Sequence, residues 1–414
     1  MHSTKIFYAG RMRPFKHVGH HPQFEHIHQP PEGYEFVTDG GFSLGTSIGV
    51  MKSLGELFKA SITNGSELGA FHRFIRSRSI RAQMSVPSDV KLAFLPSTPF
   101  FLGQIPWVIE IEDTTTLFVP FAKIAGKRHD PRIFGTDGIY DSGFLPVVKS
   151  MLQSAKCRAI ICHVRSTAES IPVLFGDPAL AKKVVHIPLG IEPRPTVSRA
   201  HHNESITMLF TNSWNQAATG FYLRGGLDVL EAYSSIYAQN RRVRLIVRSK
   251  LPEDLAPRYR EIIECCNVQV IDGFLSTEQI EALFSSADIY VLPSARLHVV
   301  SILQAMAYGL AVVVSDGWGI AEYVDHGTNG CIVPGRYGTC SWMDSSGILK
   351  EDYRPLFSPN AAVAENLTQV LLNLIDREDL RRQLGEAAIE AVATKFSIAR
   401  WNRGLAQAFT QALS

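Results

Sequence analysis

The chain has 414 residues, of which 45% are hydrophobic and 19% charged, a composition typical of a globular protein with a sizeable core. Single hydrophobic cores stop growing at about 250 to 300 residues, so this length predicts two domains. The net charge of +2 at pH 7 argues against nucleic-acid binding. No apolar run reaches the roughly 18 residues that span a bilayer, and no signal-peptide core begins the chain, so we expect a cytoplasmic protein without a transmembrane segment.

Charge is distributed unevenly along the chain. Residues 1–190 contain 21 Lys and Arg against 15 Asp and Glu, whereas residues 191–414 contain 20 against 24. The densest basic cluster, residues 72–81, places apolar residues between its arginines. A solvated helix face is the favoured interpretation of this cluster, and peripheral contact with an anionic membrane or a phosphorylated acceptor is the alternative.

Histidines and cysteines give no metal-ligand pattern. Five histidines, His17, His20, His21, His26 and His28, crowd a proline-rich segment. This composition predicts a loop, which we place either at a hinge or on the side where an acceptor substrate binds. A metal site is disfavoured because nothing in the segment fixes the geometry of the ligands. The six cysteines show no paired spacing, which indicates a reducing compartment. We therefore expect no metal.

Short strand-like runs alternate with helical stretches over most of the chain. The predicted strands cover residues 91–95, 107–111, 159–163, 184–187, 206–210, 244–247, 268–271, 289–292 and 311–314. Helices are predicted at residues 227–237 and 276–286, the second opened by a capping box of Ser276 and Gln279. This alternation predicts an α/β protein with parallel sheets, and the proline-rich residues 188–200 mark a domain boundary.

Residues 288–335 are the most informative segment. A four-residue apolar strand, 289–292, is followed by Ser301 and Gln304, which predict a capping box at the start of a short helix that Gly309 ends. Residues 312–314 then begin the next strand. In such a βαβ unit the helix N-terminus lies at the carboxyl edge of the sheet and binds phosphate, so a nucleotide site is predicted.

The run Gln304-Ala-Met-Ala-Tyr-Gly309 and the strand before it resemble the donor-site signature of retaining glycosyltransferases of family four, the glycosyl transferases group 1. His186-Ile-Pro-Leu-Gly190 resembles the end of that family's first domain, and the resemblance covers most of residues 85–410. It implies a GT-B fold, in which two Rossmann-like domains with parallel sheets face each other across a cleft. The implied parts are an acceptor-side domain at 1–190, a nucleotide-sugar-binding domain at 191–396 and a C-terminal helix, 397–414, that crosses back to the first domain.

The donor-site signature departs from the family at two glutamate positions, where this chain has Arg296 and Gln304. In the family the second glutamate bonds the ribose, a role that the amide of Gln304 can fill because it both donates and accepts. The first glutamate contacts hydroxyls of the donor sugar, and Arg296 only donates and carries a fixed positive charge. The family also holds the donor diphosphate with two cations, for which this chain offers Arg224 together with Arg248 or Arg296.

A carboxylate in the first domain completes the candidate site. Glu112 stands where the family often has a histidine at the end of a strand, and alternation along that strand places Glu110 on the same face. Glu112 would stabilise an oxocarbenium-like transition state or, alternatively, anchor the loop 114–116. The catalytic candidates are Glu112, Arg224 and Arg296. The donor-binding candidates are Asn212, Ser213, Arg224, Arg248, Phe274, Arg296, His298, Val299, Val300, Ser301 and Gln304.

Together these features predict a retaining glycosyltransferase that moves a sugar from a nucleotide-diphospho-sugar to a hydroxyl acceptor, either a glycan, a glycolipid or a small molecule. The resemblance implies neither a metal nor a cofactor besides the donor. Two alternatives remain open. The replaced glutamates favour a catalytically silent nucleotide-sugar-binding protein, and the pair Glu110 and Glu112 favours a GT-B nucleotide-sugar 2-epimerase.

Overall fold

The computed structural model describes the chain in segments that together form two parallel sheets of six strands each. The described residues are 3–8, 26–37, 44–63, 86–87, 89–96, 101, 103–117, 145–194, 205–212, 218–339 and 354–414. Ser213 and the basic cluster 72–81 lie outside these residues, as do His17, His20 and His21. Within the described part of the chain, no helix is both long and apolar enough to cross a membrane.

The first sheet has the strand order β2-β1-β3-β4-β5-β6. Its strands are β1 Thr4–Tyr8, β2 Tyr34–Val37, β3 Leu92–Pro96, β4 Trp107–Ile111, β5 Cys157–Cys162 and β6 Val184–His186. The helices of this half are α1 Leu44–Thr63, α2 Leu145–Gln153 and α3 Arg165–Leu174. All five residues of β4 are buried, with Trp107 and Ile109 in one apolar cluster and Val108 in another, so this strand is covered on both faces.

The second sheet has the order β12-β11-β10-β7-β8-β9. Its strands are β7 Ile206–Thr211, β8 Val243–Arg248, β9 Val268–Ile271, β10 Ile289–Leu292, β11 Ala311–Ser315 and β12 Cys331–Val333. Its helices are α4 Thr219–Leu223, α5 Gly226–Gln239, α6 Pro257–Cys265, α7 Thr277–Ser285, α8 Val299–Ala307, α9 Ala361–Asp376 and α10 Glu378–Thr394. Strand β7 pairs with both β8 and β10, so the carboxyl ends of these three central strands lie side by side.

The last helix, α11 Ile398–Leu413, packs on the first sheet rather than the second, against strands β3, β4 and β5. Ser397 caps it by accepting a hydrogen bond from the backbone N–H of Arg400. At its far end the hydroxyl of Tyr34 in β2 bonds that of Thr410 at 2.7 Å. After α10 the chain therefore returns to the first sheet.

The alternation of strands and helices is confirmed as two parallel α/β sheets. The capping box of Ser276 and Gln279 is also confirmed, since each side chain bonds the backbone N–H of the other residue. Three strands, β1, β2 and β12, were not predicted. In the histidine-rich segment, residues 26–28 form a short 3-10 helix, and Nε2 of His26 lies 2.9 Å from the carbonyl of Gly190 between the two domains.

Candidate active site

Helix α8 begins at the carboxyl edge of the second sheet, directly after β10. Its N-cap is His298, and the predicted capping box of Ser301 and Gln304 is wrong, because the helix begins at Val299 and Ser301 lies inside its first turn. The hydroxyl of Ser301 instead accepts a hydrogen bond from Arg224. Gly309 ends the helix as predicted, with a φ of 65° in the left-handed region.

Arg224 joins the edge of the sheet to the first turn of α8. Its Nη1 donates to the carbonyl of Thr211, at the end of β7, and to the hydroxyl of Ser301, both at 3.2 Å. Only 7% of the residue is exposed, and burial lowers the pKa of its guanidinium to about 10. At neutral pH it therefore carries a positive charge in a largely dry position.

Arg248 provides a second buried cation, at the end of the neighbouring strand β8. Its Nη1 donates to the carbonyl of Asn212 at 3.4 Å, and its Nε has no hydrogen-bond partner among the described residues. Burial lowers the pKa of Arg248, and its charge is among the causes that lower the pKa of Arg224. The two guanidinium groups are thus close enough for their charges to interact. Such proximity is expected because Arg224 bonds the end of β7 and Arg248 lies at the end of the adjacent parallel strand β8.

The first domain contributes carboxylates to the same place. Glu112, which follows β4, accepts a hydrogen bond of 3.5 Å from the backbone N–H of Val299, the first residue of α8. Burial, and after it the charge of Asp113, raises the pKa of Glu112, while His163 and Arg296 oppose the shift. Asp113 itself lies 3.6 Å from Nη1 of Arg296. Arg296 therefore lies close enough to Glu112 for its charge to lower the pKa of that carboxyl, and the pKa of Arg224 responds to both charges.

Glu110 does not share the environment of Glu112. Its carboxylate lies 2.8 Å from Nε2 of His163, with both side chains almost completely buried, and the ring of His163 packs edge-on against Trp401 of α11. Alternation predicts one face for Glu110 and Glu112, and in the structure Glu110 faces His163, the residue that follows β5, in the interior of the protein. Glu112 is thus the carboxylate of this pair at the N-terminus of α8.

The remaining donor-binding candidates differ in burial and in their hydrogen-bond partners. Nε2 of His298 is buried without a hydrogen-bond partner among the described residues, and burial, with Arg224 and Arg296, lowers its pKa well below the usual range. Val300 and Gln304 are half-buried, Gln304 one turn after Val300. Asn212 is buried, and its Nδ2 donates to the hydroxyl of Ser249. Phe274 lies in the loop after β9 and is 52% exposed.

Sequence reasoning missed the residues that hold the two domains together. Glu322, in a short 3-10 helix after β11, accepts hydrogen bonds from the backbone N–H groups of Arg165 and Ser166 and from the hydroxyl of Ser166. These N–H groups open α3 in the first domain, so a residue of one domain caps a helix of the other. Nearby, the hydroxyl of Tyr323 accepts from the N–H of Leu189 and donates to the carbonyl of His163. No short sequence pattern marks such long-range partners.

Residues 221–342, which contain Arg224, Arg248, α8 and Glu322, match the family described as glycosyl transferases group 1. The resemblance to this family is confirmed. No curated protein matches the chain by sequence.

Solved glycosyltransferases have the same fold as the whole chain. A glycosyltransferase from Rickettsia africae superposes with a TM-score of 0.56 at 12% identity, over 100% of this chain and 91% of that one. HepE of Anabaena, solved with UDP and glucose, superposes with a TM-score of 0.55 at 12% identity, over 99% of this chain and 100% of that one. WaaG, a glycosyltransferase involved in lipopolysaccharide biosynthesis, superposes with a TM-score of 0.54 at 14% identity, over 98% of this chain and 99% of that one. The chain has the GT-B fold.

The interdomain cap made by Glu322 leads to a prediction about stability. Glu322→Ala leaves the first N–H groups of α3 without their carboxylate, so we expect a loss of about 1 to 2 kcal/mol in the free energy of unfolding. Urea unfolding measures it. Glu261→Ala, at an exposed position on α6, is the matched control and should stay within about 0.5 kcal/mol of wild type. Equal stability of the two variants would contradict the capping role.

Proposed function

We propose that this protein transfers a sugar from a nucleotide-diphospho-sugar to a hydroxyl acceptor, with retention of anomeric configuration and without a metal, in the cytoplasm. The family match of the second domain and the GT-B fold support glycosyl transfer in general. The resemblance to the retaining family supports retention. The arginines at the edge of the second sheet support a diphosphate leaving group.

The main support for the proposal is that Arg224 and Arg248 are buried cations whose hydrogen bonds go to backbone carbonyls and a hydroxyl. Within the described residues neither forms an ion pair with a carboxylate, whereas Arg296 lies beside Asp113. Burying a charge is costly unless an opposite charge accompanies it. Two such cations beside the N-terminus of α8 therefore form a site suited to an anion with two charges, such as a diphosphate.

The rest of the donor can be placed around this diphosphate. Gln304, half-buried on the second turn of α8, is the candidate for the ribose hydroxyls. The sugar then lies toward the first domain, where Arg296 and Glu112 meet. A nucleoside diphosphate leaves with increasing negative charge, which fixed cations stabilise without reorganisation. Glu112 is placed to stabilise the opposite, electron-poor charge that develops on the sugar ring.

The two other functions make different demands on the site. A 2-epimerase would need two carboxylates free to exchange protons with the sugar, and Glu110 is paired with buried His163. A silent nucleotide-sugar-binding protein needs only the donor site, and the replacement of both family glutamates by Arg296 and Gln304 favours it.

A thermal-shift screen of nucleotide-diphospho-sugars tests the donor site directly. A donor present at 100 times its dissociation constant should stabilise the fold by about 2.7 kcal/mol. Incubation with that donor then separates the functions. Slow hydrolysis without acceptor indicates a glycosyltransferase, epimer formation without acceptor indicates the epimerase, and binding without either product indicates a silent protein.

Gln304 provides a sharper test of donor placement. We expect Gln304→Glu to preserve or improve donor affinity, whereas Gln304→Leu should weaken it by about 1 to 3 kcal/mol, because ribose hydroxyls would lose their partner. Titration calorimetry with the nucleoside diphosphate measures both. Equal affinity of the leucine variant and wild type, at equal melting temperature, would show that Gln304 does not contact the ribose.

A further inference from the structure

The outer face of α1, in the first domain, carries an apolar stripe that sugar transfer does not use. Ile48 is 62% exposed, Met51 59%, Phe58 39% and Ile62 49%. With Gly55, these residues recur every three or four positions and so lie on one line along the helix. Over its 20 residues the helix is about 30 Å long, and the stripe follows most of that length.

The stripe is separate from the face that fixes α1 to its domain. Val50, Leu54 and Leu57 are buried in the core of the first domain. These residues hold the helix in place, while Ile48, Met51 and Ile62 are turned away from this core and exposed. Large apolar side chains arranged in a continuous exposed line are characteristic of an interaction surface rather than of an ordinary solvated helix.

Charge next to the stripe indicates the kind of partner. Lys52 and Lys59 are exposed and lie one turn from Ile48 and Ile62 respectively, while the acidic Glu56 lies farther round the helix. The half of the chain that contains α1 has six more basic than acidic residues, 21 against 15. The arginine-rich residues 72–81 follow α1 closely in sequence. An apolar line bordered by lysines matches the boundary between the headgroups and acyl chains of an anionic membrane.

We propose that α1 is a membrane-docking helix that lies in the plane of an anionic lipid surface. Ile48, Met51 and Ile62 enter the boundary between headgroups and acyl chains, and Lys52 and Lys59 bind lipid phosphates. The contact is peripheral and reversible, since it combines a limited apolar area with electrostatic attraction. This inference does not depend on sugar transfer, so either can fail without the other.

Vesicle co-sedimentation of the full chain tests the proposal. We expect binding to phosphatidylcholine vesicles that contain phosphatidylglycerol, much weaker binding to phosphatidylcholine alone, and weakening by salt. The combined Ile48→Ser, Met51→Ser and Ile62→Ser variant should bind at least about tenfold more weakly. Val173→Ser, at a 56% exposed apolar position on α3, is the matched control and should bind like wild type.

A charge variant and a measurement of molecular mass complete the test. Lys52→Glu combined with Lys59→Glu should also weaken binding by about tenfold or more. If the triple serine variant is folded and binds as tightly as wild type, the stripe does not enter the membrane and the proposal is overturned. It is equally overturned if wild type forms a dimer in solution that the serine substitutions abolish, because the stripe is then an interface between copies. Should the triple variant fail to fold, Ile48→Ser alone provides the same comparison.

Discussion

Replacing Arg224 by alanine is expected to reduce turnover by about 100-fold to 1,000-fold, the usual cost of removing one fixed donor that stabilises charge in a transition state. The guanidinium is buried at the N-terminus of α8, where its two hydrogen bonds orient it toward the proposed diphosphate. Charge on the leaving group is greatest in the transition state, so turnover should suffer more than binding of the nucleoside. Single-turnover kinetics and calorimetry with the nucleoside separate the two effects.

Two further variants make the test of Arg224 specific. Arg224→Lys keeps the charge but not the paired geometry of the guanidinium, and should recover part of the lost rate. Arg381→Ala removes an arginine that also donates to backbone carbonyls, those of Leu374 and Ile375, but lies outside the cleft. Its turnover per folded molecule should equal that of wild type. An unaltered rate in Arg224→Ala would remove this residue from the site.

Strand β10 shows how a strand covered on both faces can be predicted from sequence. The strand Ile289–Leu292 is fully buried and is therefore a continuous apolar run, which locates it within a residue. Strand Cys331–Val333 has only three residues, and Tyr34–Val37 is a half-buried edge. Few side chains of these two strands are buried, so neither shows a clear apolar pattern, and β1 Thr4–Tyr8, whose last three residues are buried, was also not predicted.

The same capping pattern occurs twice in the chain with opposite outcomes. Ser276 and Gln279 cap α7 reciprocally, as the pattern requires. Ser301 has Gln304 at the same spacing, yet its hydroxyl bonds Arg224, which lies 77 residues earlier. A capping box is a local interaction, and a buried cation supplied by another element overrides it. The place where the local prediction fails is the proposed diphosphate site, which fits the view that functional sites depart from local preference.

The carboxylates of the first domain show why the site was only partly predictable. Alternation placed Glu110 and Glu112 on one face, but it could not tell a cleft from a buried partner, and His163 is 53 residues away from Glu110 in sequence. Convergence of parallel strand ends makes Arg248 a candidate, whereas Arg224 and Arg296 are candidates because of the resemblance to the family's donor site. Asp113, the partner of Arg296, comes from the first domain, and its position depends on how the domains pack, which is not local information.

Glu112→Gln is expected to lower turnover by roughly 100-fold or more, about 2.7 kcal/mol in the barrier, while donor affinity is kept. Glutamine retains an oxygen that can accept from the N–H of Val299, so the contact between the domains survives and only the charge is lost. Because burial raises the pKa of Glu112, its charged form is disfavoured in the folded protein. Removing that charge should therefore leave the melting temperature at neutral pH equal or higher.

The pH dependence of turnover and a matched variant decide between the two roles of Glu112. If the carboxylate form is required, wild-type turnover falls as pH is lowered through the raised pKa of Glu112, and this acid limb begins at higher pH than for an ordinary glutamate. The glutamine variant should lack this limb. Glu110→Gln, which breaks the buried pair with His163, should instead lower the melting temperature and leave turnover per folded molecule nearly intact. If Glu112→Gln behaves in that second way, destabilised but fully active, Glu112 anchors the structure and the charge that stabilises the sugar must come from elsewhere in the cleft.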